Sequence, residues 1–247
     1  MPALTPAQLR AVRWYIGDVD SNAPFWGNAK AYVTLNSLFF DGIAAERARA
    51  AEGKFLDPAI LADENRLVDV LRDLLSAFLP LETALDTYRV ERFADFTAMR
   101  KAGRTLSFTS TSTAGFLPAY QDRIGIALMR FTLPAGTPCI PMAQALPHYA
   151  KADEAEVLLP PCMRLRITEQ PISAEESNIL DANGQPPRIS VRAVPMETRL
   201  PVPQNPSLPE HFRLAGMEVL SDLNAGTEPS AEAVRDFTAW KSALFRG

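Results

Sequence analysis

Two glutamates open the stretch "EAEVLLP" at residues 154–160, and their spacing is the first chemical signal in the chain. In an extended strand alternate side chains share a face, so Glu154 and Glu156 would project the same way, roughly 7 Å apart, with Leu158 following them. Val157, Leu158 and Leu159 are apolar on both faces, the pattern of a strand entering a covered sheet. Glu156 then stands where solvent gives way to core, a useful position for a working carboxylate. Two other polar features accompany the pair. One is Arg89 in "TYRVER"; the other is the hydroxyl cluster "SFTSTS" from Ser107 to Ser112. Each also has a plainer reading, as a solvated edge arginine, a β-forming polar surface and the wet face of an exposed strand.

Composition narrows the classes. The chain has 247 residues, 47% of them hydrophobic, enough to bury a sizeable core and fold alone. Its net charge is −4 with both signs interspersed, which supplies no basic face for a nucleic acid backbone. No apolar run approaches the ~20 residues of a membrane helix, and "MPALTPAQLRAVR" lacks the apolar centre of a secretory signal. The expected setting is a cytosol, or a target cell reached by a route that the sequence does not display. Cys139 and Cys162 are the only cysteines, and no CxxC or clustered His/Cys ligands occur, so no metal is expected. Either cysteine with His148 could make a thiol nucleophile and its base, but two reduced, half-buried cysteines are the commoner outcome.

The elements that must position these residues fall into two textures. "TPAQLRAVRWYIG" has Thr5 placed to cap, Pro6 at the first helical position, Leu9, Val12 and Ile16 at helical spacing, and Gly17 as a stop. Residues 28–42 and 63–79 read as further amphipathic helices, the second with Leu67, Val70, Leu71, Leu74 and Leu75 on one stripe. From about Thr87 the chain turns to short runs rich in Thr, Val, Ile and Phe: "TYRVERF", "RTLSFTSTS", "IGIALMRFTLPAGTPCIPM", "AEVLLPPCMRLRITEQ" and "RISVRAV". Helices first and strands second predict an α+β fold with mainly antiparallel sheet. Pro195, Pro201, Pro203, Pro206 and Pro209 mark an extended connector, and Val234, Phe237, Trp240 and Leu244 make one face of a final helix.

The order of the polar pieces resembles the mono-ADP-ribosyltransferase family, which includes bacterial toxin exoenzymes and vertebrate arginine-specific transferases. The matching pieces are Tyr88-Arg89, the aromatic-x-Ser-Thr-Ser run from Phe108 to Ser112, and Glu154-Ala155-Glu156 running to Pro160. "WYIG" followed by "AYVTLNSL" is similar to the family's helical lead-in, and "LMRFTLPAGTPCI" to the strands before the loop that precedes the paired glutamates. The resemblance covers roughly residues 9–168, and its specificity lies in order, spacing and strand context. Family members commonly carry Gly after the Arg, where this chain has Val90, so Arg92 stands beside Arg89 as the alternative phosphate ligand.

The resemblance implies NAD as substrate and a two-sheet ADP-ribosyltransferase core. It implies cleavage of the nicotinamide–ribose bond through a sugar cation like that of glycoside cleavage. Glu156 would stabilise that cation, Arg89 would grip the pyrophosphate, and Ser110 would orient Glu156 and the ribose, with Thr111 and Ser112 holding the strand. Glu154 would help remove a proton from the acceptor, and Glu at this position goes with arginine as acceptor. The expected activity is transfer of ADP-ribose to an arginine on a target protein, as a bacterial or phage effector or toxin. The loop 141–153, with His148 and Tyr149, would meet that target. Two other readings stay open: an NAD glycohydrolase on the same scaffold, and a non-catalytic module that binds a partner through its C-terminal helix. The expected domains are 1–194, divided into a helical lead-in 1–86 and a β-rich core 87–194, and a tail 195–247.

Overall fold

Helix α1 (Pro6–Ile16) begins at the cap read from the sequence. The Gln8 backbone N–H donates to Thr5 Oγ1 at 3.3 Å and the Thr5 N–H to Gln8 Oε1 at 2.8 Å, a reciprocal cap that satisfies two amides at the helix start. Gln8 Nε2 also donates to the Ser76 carbonyl at 2.9 Å, tying α1 to the end of α2 (Glu64–Ser76). The α2 stripe of Leu67, Val70, Leu71, Leu74 and Leu75 is buried, as its period requires. These residues belong to a computed structural model that describes positions 3–16, 32, 35–36, 38–39, 47, 64–113, 126–146, 155–181, 189–196, 199–203 and 210–245. Gly17, His148, Tyr149, Glu154 and most of the helix expected over 28–42 lie outside the described residues.

The strands follow. β1 (Leu79–Pro80) and β2 (Leu85–Arg92) lead into α3 (Phe93–Ala102); β3 (Thr109–Ser112), β4 (Ile126–Leu133) and β5 (Pro138–Pro141) precede a single helical turn, α4 (Met142–Ala145). Then come β6 (Glu156–Leu159), β7 (Leu165–Gln170), α5 (Ala174–Asp181) and β8 (Ile189–Pro195). Hydrogen bonding joins these strands in one sheet of order β1-β5-β6-β3-β2-β4-β8-β7. Every pairing is antiparallel except β4 with β8, in keeping with the expected mainly antiparallel α+β fold. The described strands form one sheet where two were expected, and the junction shows why. The halves β1-β5-β6-β3 and β2-β4-β8-β7 meet at β2 and β3, which share one paired position, Tyr88 opposite Ser112.

One face of the sheet carries the core. Ala127, Met129, Phe131 and Leu133 of β4, Val157 and Leu159 of β6, and Val191 and Ala193 of β8 point to it at period two, and Phe96 and Met99 of α3 pack there. A sheet face this apolar needs a cover from its own neighbourhood, and α3, directly after β2 in the chain, supplies part of it. Helices α3 and α5 therefore stand among the strands, where the sequence had suggested helices first and strands afterwards.

The turn that follows β6 is held by a buried hydroxyl. Thr105 is fully buried; its Oγ1 donates to the Pro160 carbonyl at 2.8 Å and accepts from the Met163 N–H at 2.9 Å. Thr105→Val keeps the shape and strands both backbone groups, so it is expected to destabilise the fold by about 2–4 kcal/mol. Urea unfolding with an unchanged slope and a lowered midpoint checks it.

Helices α6 (Glu210–Ala225) and α7 (Ala231–Ala243) close the chain and pack on each other. Ser230 caps α7, accepting from the Ala233 N–H at 3.1 Å, and the expected apolar face is buried at Phe237, Trp240 and Leu244. The α6 helix was not foreseen, although Val219, Leu220 and Leu223 carry a helical spacing and are buried. By contact the chain divides into two compact units, Phe78–Leu200 with Met1–Ala3, and Leu4–Ala77 with Pro201–Gly247.

Candidate active site

β3 is the strand that gathers the candidate residues. It is a short Thr-Ser-Thr-Ser segment, β-forming and mostly buried, with β2 on one side and β6 on the other. Ser112 stands opposite Tyr88 on β2 and opposite Glu156 on β6, and Tyr88 stands opposite Arg130, which stands opposite Arg192. Residues directly opposite share a face, so Arg192, Arg130, Tyr88, Ser112 and Glu156 form one cross-strand row. Ser110 lies on that face too, opposite Leu158. Thr111 faces the other way, buried, and its Oγ1 donates to the Val157 carbonyl at 2.8 Å, locking β3 to β6 in register.

Arg89 is one residue on from Tyr88, and alternation puts it on the opposite face from Glu156. It is nonetheless joined to β3: Nη1 donates to the Ser110 carbonyl at 2.7 Å, across the stretch where β2 and β3 have no further ladder position. Its Nε donates to the carboxylate of Glu91, a buried acid that the sequence reading passed over. The signal for it was present: in "RVE" an acid two residues after an arginine shares its face. Arg92 ends β2.

Glu156 is half-buried at the first position of β6 and lines a cleft of about 320 Å³ with Leu81, Glu82, Thr113, Gln144 and Ala155. The cleft lies where β3 and β5 end and β6 begins. Arg89 and Ser110 do not line it. The extended geometry expected through Glu154-Ala155-Glu156 does not hold at its centre. Ala155 has φ 44°, in the left-handed region that a non-glycine residue enters at a cost of about 1–2 kcal/mol. The Thr113 N–H donates to the Ala155 carbonyl at 3.1 Å and holds this conformation, and the strand begins at Glu156.

Beside this row lies a charged network. Arg130 Nη2 donates to Asp86 Oδ2 at 2.6 Å, its guanidinium lies 5.8 Å from the Tyr88 ring centre, and Tyr88 Oη donates to Glu175 Oε1 at 3.3 Å. Burial pushes the Asp86 carboxyl up, and the hydrogen bonds from Arg130 and Thr132 together with the positive charges of Arg130 and Arg192 outweigh it, holding Asp86 below the usual carboxylate range. A depressed folded pKa contributes stability that is present above the unfolded pKa and lost as pH falls through the folded one. Wild-type stability is therefore expected to fall below about pH 4, and Asp86→Asn to flatten that slope. Thermal unfolding from pH 6 to pH 2 compares the two.

Neither cysteine offers a nucleophile beside this cleft. Cys139 is fully buried in the core and burial pushes its thiol up to about 12, so it stays protonated; Cys162 lies in the turn between β6 and β7. Among the described residues no group of three or more His, Cys, Asp or Glu could hold a metal ion, and no helix is long and apolar enough to cross a membrane.

No known family matches the chain, and no curated protein does. Solved structures to which it is similar include the ADP-ribosylating toxin BECa of a binary enterotoxin of C. perfringens, with NADH, at TM-score 0.47 and 18% identity, covering 78% of this chain. This chain spans 44% of the length of that toxin chain. Another is the Clostridium limosum C3 exoenzyme, at TM-score 0.46 and 14% identity, covering 78% of this chain and 87% of that one. A third is an ADP-ribosyltransferase from Clostridium botulinum, at TM-score 0.43 and 14% identity, covering 78% of this chain and 88% of that one.

Proposed function

We propose that this chain is an NAD-dependent mono-ADP-ribosyltransferase whose acceptor is an arginine on a protein, acting as a bacterial or phage effector or toxin. The observation that carries the reading is the seating of β3 between β2 and β6. It unites three pieces far apart in sequence, Tyr88-Arg89, Ser110-Thr111-Ser112 and Glu156, by direct register and by the Arg89–Ser110 hydrogen bond.

NAD is the substrate. Its nicotinamide–ribose bond breaks, the bonding pair leaves with nicotinamide, and the ribose carbon becomes electron-poor. Glu156, at the rim of the cleft, faces that positive charge with a fixed carboxylate, which costs no reorganisation as the charge develops. Arg89 grips the pyrophosphate with its planar fork, Ser110 orients Glu156 and the ribose, and Thr111 and Ser112 keep β3 in register with β6. The acceptor guanidinium attacks the ribose carbon and loses a proton to Glu154. The residues 87–194 form the catalytic core in this reading.

Incubation with labelled NAD and a cell lysate tests it: a labelled protein band together with nicotinamide release is expected, and the absence of both overturns it. Release without label points to hydrolysis by water. Arg89→Lys is expected to weaken NAD binding roughly tenfold or more, because a point charge replaces a fork. Calorimetric titration checks it, and the same loss in Arg92→Lys but not in Arg89→Lys moves the pyrophosphate to Arg92.

A further inference from the structure

Glu91 is an expensive residue to keep where it is. Its side chain is only 10% exposed, and a carboxylate taken out of water costs several kcal/mol unless it is paired. Its partner is Arg89 Nε, two residues back on the same face of β2. Another anchor of that guanidinium, the Ser110 carbonyl at 2.7 Å from Nη1, belongs to a different strand. A planar group held at two nitrogens by partners on two strands has one orientation. Removing Glu91 takes away the anchor at Nε and loosens the hold on that orientation.

Resting on the function proposed above, we infer that Glu91 is a positioning residue: it fixes the Arg89 guanidinium, with the Ser110 carbonyl as second anchor, in the orientation that meets the pyrophosphate of NAD. Charge alone argues the other way. A carboxylate beside Arg89 cancels part of the positive charge that attracts an anion, so Glu91→Gln should tighten NAD binding if electrostatics were all that mattered. Positioning demands the opposite sign, because an anion gains most from a fork already aimed at it.

The experiment measures NAD affinity by calorimetry and nicotinamide release for wild type, Glu91→Gln, Glu91→Leu, Arg89→Lys and the Arg89→Lys/Glu91→Gln pair, with thermal unfolding as the check on folding. Glu91→Leu replaces the carboxylate by an apolar group of similar volume and leaves no unpaired acid. Both Glu91 variants are expected to raise Kd and KM for NAD roughly tenfold, the weight of a hydrogen bond between charged groups, with kcat changed less than about twofold. In the Arg89→Lys background Glu91→Gln should add less than about twofold, since the group to be positioned is gone. Unchanged or tightened binding in the single variants overturns the inference, and so does an equal loss in the Arg89→Lys background. Exchange of the Arg89 Nε–H, followed by 15N NMR without NAD and assigned by its loss in Arg89→Lys, separates this inference from the function it rests on. If wild type neither binds nor cleaves NAD, the proposed function falls. In that case faster Nε–H exchange in Glu91→Gln upholds the anchoring, and unchanged exchange overturns it.

Discussion

Glu156→Gln is expected to leave the fold intact and to slow nicotinamide release from NAD by ~100-fold or more, a loss of about 3 kcal/mol of transition-state stabilisation. The substitution keeps the size and one carbonyl oxygen and removes only the charge, which is the property that the sugar cation needs. Glu156 is half-buried at the mouth of a cleft and begins the strand that β3 holds through Ser112, so an amide fits the same space. Its thermal stability should therefore stay within about 1 kcal/mol of wild type, since the amide keeps the size and an accepting oxygen. Release and unfolding measured on the same preparation decide between outcomes. A folded variant that cleaves NAD at near-wild-type rate removes Glu156 from the chemistry.

The second large effect concerns Glu154 and separates two activities that share a first step. Water attacking the ribose cation needs little help once the cation exists, whereas an arginine guanidinium must lose a proton on the way to product. Glu154→Gln should suppress labelling of protein by ~100-fold while a measurable fraction of nicotinamide release persists. Equal loss of both activities would mean that the carboxylate serves the cation or the fold, and arginine would no longer follow from this residue. Loss of neither would make Glu154 a solvated residue at the head of β6.

Legibility in the sequence followed the range of the forces concerned. Thr5 and Pro6 announce the start of α1, five leucines and valines announce the buried face of α2, and Val234, Phe237, Trp240 and Leu244 announce α7. Each of these signals acts within a turn or two of helix. The strands around Tyr88, Ser110, Met129 and Leu158 are legible for the same reason, since β-branched and aromatic runs bounded by Gly and Pro are local features. Helices α3 and α5 were missed because their apolar residues are sparse or broken by polar ones, and what stabilises such helices is the surface they cover.

The sequence by itself therefore determined the kinds of element, their order, and the residue types able to bind an anion and stabilise a sugar cation. Only the tertiary structure decided that β3 lies between β2 and β6, that the described half-sheets share one paired position, Tyr88 with Ser112, and that Arg89 reaches Ser110 from the face opposite Glu156. It also decided that Glu91 is the acid against Arg89, that Ala155 leaves the extended region, and that Leu4–Ala77 groups with Pro201–Gly247. The physical reason is that strand partners are chosen by which apolar faces can be buried together across long stretches of chain, a gain that no local window contains. Moving the register by one residue would turn every side chain of a strand to the other face at no cost in local propensity, so only the assembled sheet tells which residues meet.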